Sequence, residues 1–402
     1  MTVSRRIFGL DLLRAIAVLQ VTHGHSAHLH NALWNHSALY ERIVSVPLLG
    51  NCDGVDLFFV LSGFLIGTIL LRTVKSGRVN HVSLLNFWIK RWFRTLPLYF
   101  SCLALSVGVY VWLAPDPFIS SLRYMRDIKL YKFVYFFHDM SFPMPIFFIE
   151  SWSLAIEEWA YIILPILIFS AVWLLKAIQL KYRILVPLIS LIIIEIGCRI
   201  VFWTMYIVGH DASEAWFLNY SLRQLTYLRI DTIVFGVLAA WFFVFTPQLW
   251  HRYKWQFFCV GALLYLLIPS INTYLFTDLT ASNGWVRAAF GTCIACVCIG
   301  LTLPVLSAFN MSSNYFSRFV ELISKISYSM YLFNYSILIT LLKGLINPTT
   351  VLESYGCLAL YWILLIGVSW LTYTYFELPV TELRNRFLRR ETMVDTDHPV
   401  LT

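Results

Sequence analysis

Two ionisable residues stand inside the first strongly apolar segment of the chain, LDLLRAIAVLQVTHGHSAHL: Arg14 and, eleven positions on, His25. On a helix that interval is about three turns, so both side chains fall near one face, roughly 16 Å apart. Arginine and histidine are costly at membrane depth unless they line a cavity or meet a partner. Imidazole titrates near neutrality and suits a general base that takes the proton of an alcohol. The pair therefore suits a cation near one mouth of a cavity and a proton acceptor deeper inside. His23 faces another side of the segment, and His28 and His30 read as interfacial residues. No carboxylate set accompanies these histidines at ligand spacing, so no metal site is expected.

Further charges lie in or beside other apolar runs. In Asp53-Gly54-Val55-Asp56 the first acid suits a helix cap, while Asp56 lies a turn inside and needs a partner. A histidine on the first helix is an economical one. Arg91 and Arg94, three apart, share a helical face and suit phosphates or the pyrophosphate of a nucleotide-bearing cofactor. A positive-inside anchor explains their charge equally well. In Ser151-Trp152-Ser153-Leu154-Ala155-Ile156-Glu157-Glu158 either serine could cap the helix, but Glu157 lies several residues in and asks for a function. Glu195 and Arg199, one turn apart, are expected to satisfy each other, and Arg229 with Asp231 forms another buried pair. Cys293, Cys296 and Cys298 read as packing residues.

The elements that must position these residues are apolar helices. At 402 residues, 59% hydrophobic and 13% charged, the chain is too apolar and too long for one soluble domain. Ten apolar blocks of helix-spanning length run at about 9–28, 55–72, 95–114, 152–174, 184–208, 226–246, 256–276, 287–306, 327–346 and 356–376. The expected fold is therefore all-α, a polytopic membrane helical bundle of about ten transmembrane helices. Ser62, Gly63 and Gly67 mark a close helix contact. Lysine and arginine gather in alternate connections, which places both termini in the cytoplasm. That topology accounts for the formal net charge of +8 without nucleic acid. The first segment lacks a cleavage site and is expected to be retained. One membrane-embedded domain is expected over 1–388, with a polar, disordered tail over 389–402. Loops 29–54, 115–151 and 209–225 form the expected external rim, where Trp34, Tyr40, Tyr124, Trp216 and Tyr220 could stack on sugars.

Taken in order, these segments resemble the acyltransferase-3 family, bacterial integral-membrane enzymes that decorate surface carbohydrates. The matching pieces are Leu10-Asp11-Leu12-Leu13-Arg14-Ala15 with His25, Gly54 to Phe64, and Arg91-Trp92-Phe93-Arg94-Thr95-Leu96-Pro97. They continue with Trp152-Ser153-Leu154 and Glu157-Glu158, Tyr227 to Asp231, Ile326 to Leu332, and Phe376-Glu377-Leu378-Pro379. The resemblance implies acyl-CoA, usually acetyl-CoA, as a donor co-substrate that is not tightly bound. It also implies roles for Arg14 and His25 and for Arg91 and Arg94. Members often carry a histidine after the Ser-Tyr-Ser-x-Tyr-Leu stretch, commonly with proline two residues on. Here Asn334 and Ser336 stand at those places.

The expected activity is transfer of an acyl group, acetyl first, from acyl-CoA to a hydroxyl of a cell-surface or exported carbohydrate, at the bacterial inner membrane. The partners are then acyl-CoA, a carbohydrate or lipid-linked glycan, and the bilayer. His25 would take the acceptor proton or relay the acyl group, Asp56 would orient the imidazole, and Glu157 would join them. Arg14, Arg91 and Arg94 would face the anionic end of CoA. The rival class is a polytopic secondary transporter of a polar or anionic solute, which would show inverted repeats. None is visible in the sequence.

Overall fold

A computed structural model describes residues 6–29, 54–113, 129–140, 147–206, 223–275 and 284–388. Among the described residues there are helices and no strands. The helices are α1 (Phe8–Ser26), α2 (Gly54–Lys75), α3 (His81–Leu113), the single turn α4 (Tyr131–Val134), α5 (Ser151–Leu174) and α6 (Leu180–Tyr206). There follow α7 (Ile230–Phe245), α8 (Pro247–Arg252), α9 (Lys254–Leu275), α10 (Gly284–Leu306), α11 (Tyr315–Phe333), α12 (Thr340–Leu345), α13 (Val351–Thr372) and α14 (Leu378–Leu383). Two π-helical turns, Asn334–Ile339 and Tyr373–Glu377, join α11 to α12 and α13 to α14.

Each of the ten predicted apolar blocks falls on a helix. Among the described residues, six helical stretches are long and apolar enough to cross a membrane: α2, α3, α5, α6, most of α10, and the run from α13 through Arg386. The remaining candidates are shorter or more polar. α7 has 16 residues, α1 carries Asp11, Arg14, Gln20 and two histidines, and α11 carries Arg318, Glu321 and Lys325. Long helices suit this composition because each backbone N–H finds its carbonyl within the segment, with no call on water.

The tightest seam joins α2 to α7. A Cβ on Gly63 would overlap the carbonyl of Ile233, and one on Gly236 would overlap that of Val60. Glycine is required there because the two backbones touch, as the small residues of α2 predict. Gly54 meets the Ala17 carbonyl of α1 in the same way, and Gly9 meets that of Leu306 at the end of α10. α1 is thereby held against α2 and α10.

α1 is also tied near one end to α11 and near the other to the π turn that follows α11. Ser324 Oγ donates to Asp11 Oδ1 at 2.6 Å, and at the far end His25 Nδ1 lies 2.5 Å from Asn334 Oδ1. Arg6 grips Asp11 with a fork, Nε at 3.0 Å and Nη2 at 2.6 Å.

The expected capping serines of α5 do other work. Ser151 Oγ lies 2.8 Å from His138 Nε2, and Ser153 Oγ lies 2.6 Å from Tyr331 Oη. The tail 389–402 and most of the expected external rim, including Asp53, His30 and the five rim aromatics, lie outside the described residues.

Candidate active site

α1, α2, α3, α5 and α11 surround a cleft that opens at its mouth. Arg14 enters it from α1, Arg91 and Arg94 from α3, and Glu157 from α5. Four of the six predicted site residues therefore share one space. Among the described lining residues, three arginines face a single carboxylate, so the cleft carries net positive charge. Such a surplus, in a medium of low dielectric, suits an anion with several oxygens.

Local chemistry keeps the arginines aimed inward. Arg6 saturates Asp11 with its fork, and Arg14 stands at 3.9 Å from that carboxylate. The Arg91 guanidinium lies 5.5 Å from the centre of the Tyr161 ring, a cation–π contact that fixes its plane. Tyr161 is fixed in turn: its hydroxyl lies 2.8 Å from Ser62 Oγ, and its carbonyl accepts from Trp88 Nε1 at 2.9 Å. Pro97 lies inside α3, one turn past the arginines. It lacks the N–H that would bond the Phe93 carbonyl, so the helix is weakened where it meets the cleft. The two adjacent acids of α5 part company. Glu157 lines the cleft, while buried Glu158 turns to α3 and accepts from Thr95 Oγ1 at 2.6 Å.

His25 is not among the described residues that line the cleft, but Phe58 and Tyr331 are, and their rings meet edge to face at 6.2 Å. Asn334 links the two regions. Its Nδ2 donates to the Tyr331 carbonyl, which turns Oδ1 toward His25 Nδ1 at 2.5 Å. An amide oxygen only accepts, so Nδ1 must carry the proton and Nε2 is left as the basic nitrogen. The ring edge of Tyr335 packs against the imidazole at a centroid distance of 5.2 Å. Asn334 and Tyr335 both belong to the π turn, a wide turn that often marks functional positions in helices.

The predicted partnership of Asp56 with His25 is corrected by this geometry. Asp56 is buried, and Arg229 donates to its carboxylate from α7's N-terminal flank, with Arg223 at 3.6 Å. Its place at the head of α2, against the first turn of α7, puts Arg229 nearer than any group on α1. The other buried pairs are crossed as well. Arg199 grips Asp231 at 2.6 and 3.2 Å, while Glu195 accepts the Asp231 N–H at 2.9 Å. These contacts staple α2 and α6 to α7. Cys293 packs into the second of them, its Sγ 3.2 Å from Arg199 Nη2.

Sequence reasoning missed Glu150, in the turn before α5. It is fully buried and accepts twice from Ser336, from Oγ at 2.5 Å and from the backbone N–H at 3.2 Å. Burial pushes its carboxyl up to about 7. The signal available was the loss of proline at position 336, since proline has no N–H to give.

An all-helical membrane protein with a cationic cleft beside a tautomer-fixed histidine is the class that fold and site define. The sequence model of the acyltransferase-3 family, an acyltransferase domain, matches residues 7–376, and the chain belongs to that family. A provisionally named O-acetyltransferase, SACOL0978 of Staphylococcus aureus strain COL, is 28% identical over 83% of this chain and 51% of its own length. The peptidoglycan O-acetyltransferase OatA of Listeria monocytogenes is 30% identical over 52% of this chain and 30% of its own. The provisionally named peptidoglycan O-acetyltransferase YrhL of Bacillus subtilis is 33% identical over 53% and 31%. The chain thus spans about half the length, or less, of these curated relatives. No solved structure matches it.

Proposed function

We propose that the chain transfers an acetyl group from acetyl-CoA to a hydroxyl of a cell-surface or exported carbohydrate. It acts as an inner-membrane protein of ten crossings with both termini in the cytoplasm. The observation that carries this reading is the cleft: three arginines around one carboxylate, ending one hydrogen-bonded side chain away from His25. Arg14, Arg91 and Arg94 hold the phosphates of CoA through forked bonds. His25 Nε2 takes the proton of the acceptor hydroxyl as its oxygen attacks the thioester carbon. The C–S bond then breaks, and the leaving thiolate takes the proton from the imidazolium. Among the described residues that line the cleft, Glu157 is the carboxylate that balances the arginines before the donor arrives.

Relatives named for peptidoglycan O-acetylation make a peptidoglycan-type glycan the first acceptor to test. Donor and acceptor enter from opposite faces, because Arg14 and His25 are separated by roughly half of a hydrocarbon core about 30 Å thick. The test is His25→Ala in protein that still inserts, with glycan acetylation read by mass spectrometry. Loss of acetyl groups is expected, and wild-type acetylation would overturn the assignment.

A further inference from the structure

The cleft is graded along its length. On α2 its lining runs from Val55 to Leu65, about 15 Å, and on α5 from Ser153 to Tyr161, about 12 Å. Two contacts set the register of these helices: Phe59 meets Trp152 edge to face at 6.1 Å, and Ser62 Oγ lies 2.8 Å from Tyr161 Oη. Arg91 lies over the Tyr161 ring, so the cations mark the Ser62 end. Val55, Phe58, Ser153, Leu154 and Tyr331 line the other end, and none of them is charged.

Aromatic rings close that uncharged end. The edge-to-face approach of Phe58 to Tyr331, 6.2 Å between centres, is a contact distance for rings. Tyr331 is fixed at both of its ends. Its hydroxyl donates to the Glu150 carbonyl at 3.0 Å and lies 2.6 Å from Ser153 Oγ, while its own carbonyl accepts from Asn334 Nδ2. Phe58 is half-buried and has no polar group to tie it. A donor whose phosphates sit among the arginines therefore presents its acyl group to one fixed ring and one that only packing restrains.

We propose that Phe58 and Tyr331 set the length of the acyl group, admitting the two carbons of acetyl and excluding the four of butyryl. This rests on the acyl-CoA reading above. A longer chain must displace the Phe58 ring or break the hydrogen bonds of Tyr331, and a methylene too many in a filled pocket is discriminated by about tenfold or more. Leu65, at the cationic end of the same cleft, takes no part in this selection.

The experiment is calorimetric titration of the purified full chain in detergent with CoA, acetyl-CoA and butyryl-CoA. Wild type is expected to bind acetyl-CoA about tenfold or more tightly than butyryl-CoA. Phe58→Ala should bring the two thioesters within about threefold of each other, and Phe58→Leu, which removes less of the ring, should fall between. Leu65→Ala loosens the cleft at its other end and should keep the wild-type ratio. Binding of CoA, which carries no acyl group, reports that each variant is folded. Equal affinity of wild type for the two thioesters, an unchanged ratio in both Phe58 variants, or an equal shift in Leu65→Ala would overturn the proposal. Failure of wild type to bind CoA or either thioester would overturn the acyl-CoA reading, and this inference with it.

Discussion

Asn334 fixes which nitrogen of His25 is basic, and removing it should slow the reaction without weakening donor binding. In Asn334→Leu the acceptor 2.5 Å from Nδ1 disappears, and so does the donor to the Tyr331 carbonyl. A hydrogen bond of this kind contributes about 0.5–1.5 kcal/mol net, so its loss alone removes up to about tenfold of the preference for the productive tautomer. Freedom of the ring to turn away from the acceptor adds to that loss. The expected fall in kcat is therefore about ten- to a hundredfold. Donor KM should hold, because the arginine cleft is untouched. Asn334→Asp keeps an oxygen facing Nδ1 and should recover part of the rate. The assay is acetyl transfer by purified protein, with acetyl-CoA varied at saturating acceptor. A kcat within twofold of wild type in Asn334→Leu would refute the argument, as would a loss confined to donor KM.

Arg91→Lys and Arg94→Lys keep the charge but lose the fork, so donor KM should rise roughly ten- to a hundredfold while membrane insertion is unchanged; unaltered donor titrations would return both residues to anchoring. Asp56→Asn leaves Arg229 buried beside a neutral group, and thermal unfolding should show a loss of about 3–5 kcal/mol. Restored stability in Asp56→Leu with Arg229→Met would mark the pair as a staple. Glu150 titrates near 7 in the folded chain and at an ordinary carboxyl value when unfolded, so the unfolded state ionises first as pH rises. Stability should therefore fall between about pH 4.5 and 7, by about 3 kcal/mol in all, and Glu150→Gln should flatten that slope in melts across the range.

Much of this was legible in the chain because it rests on local spacing. Blocks of about 20 apolar residues mark helices whatever their neighbours do. The interval from Arg14 to His25 fixes a face and a depth, and Gly63 with Gly67 announces a close seam. Pairings across helices were not legible. Arg229 and Asp56 are 173 residues apart, and nothing in either segment tells which of several buried acids an arginine will meet. Helix spacing suggested Glu195 for Arg199, yet the crossing of α6 and α7 brought Asp231 closer. Glu157 and Glu158 illustrate the same limit: adjacent residues diverge by about 100° on a helix, so one faces the cleft and the other faces Thr95. Asn334 and Ser336 stood out as departures from the family pattern. Only three dimensions show that one serves His25 and the other serves Glu150.

The two ties from α1, one to α11 and one to the π turn after it, turn α1 into a gauge. Asp11 is pinned to Ser324 and His25 to Asn334, so the stretch that separates Arg14 from His25 can neither slide nor shorten while both ties hold. A donor anchored by its charge at one end must carry its reactive carbon on an arm long enough to span that fixed interval. On the proposed reaction, compact acyl phosphates would match the charge and fall short of the imidazole. Donors would then be selected by reach, a criterion set in the backbone of one helix and separate from the pocket's polarity.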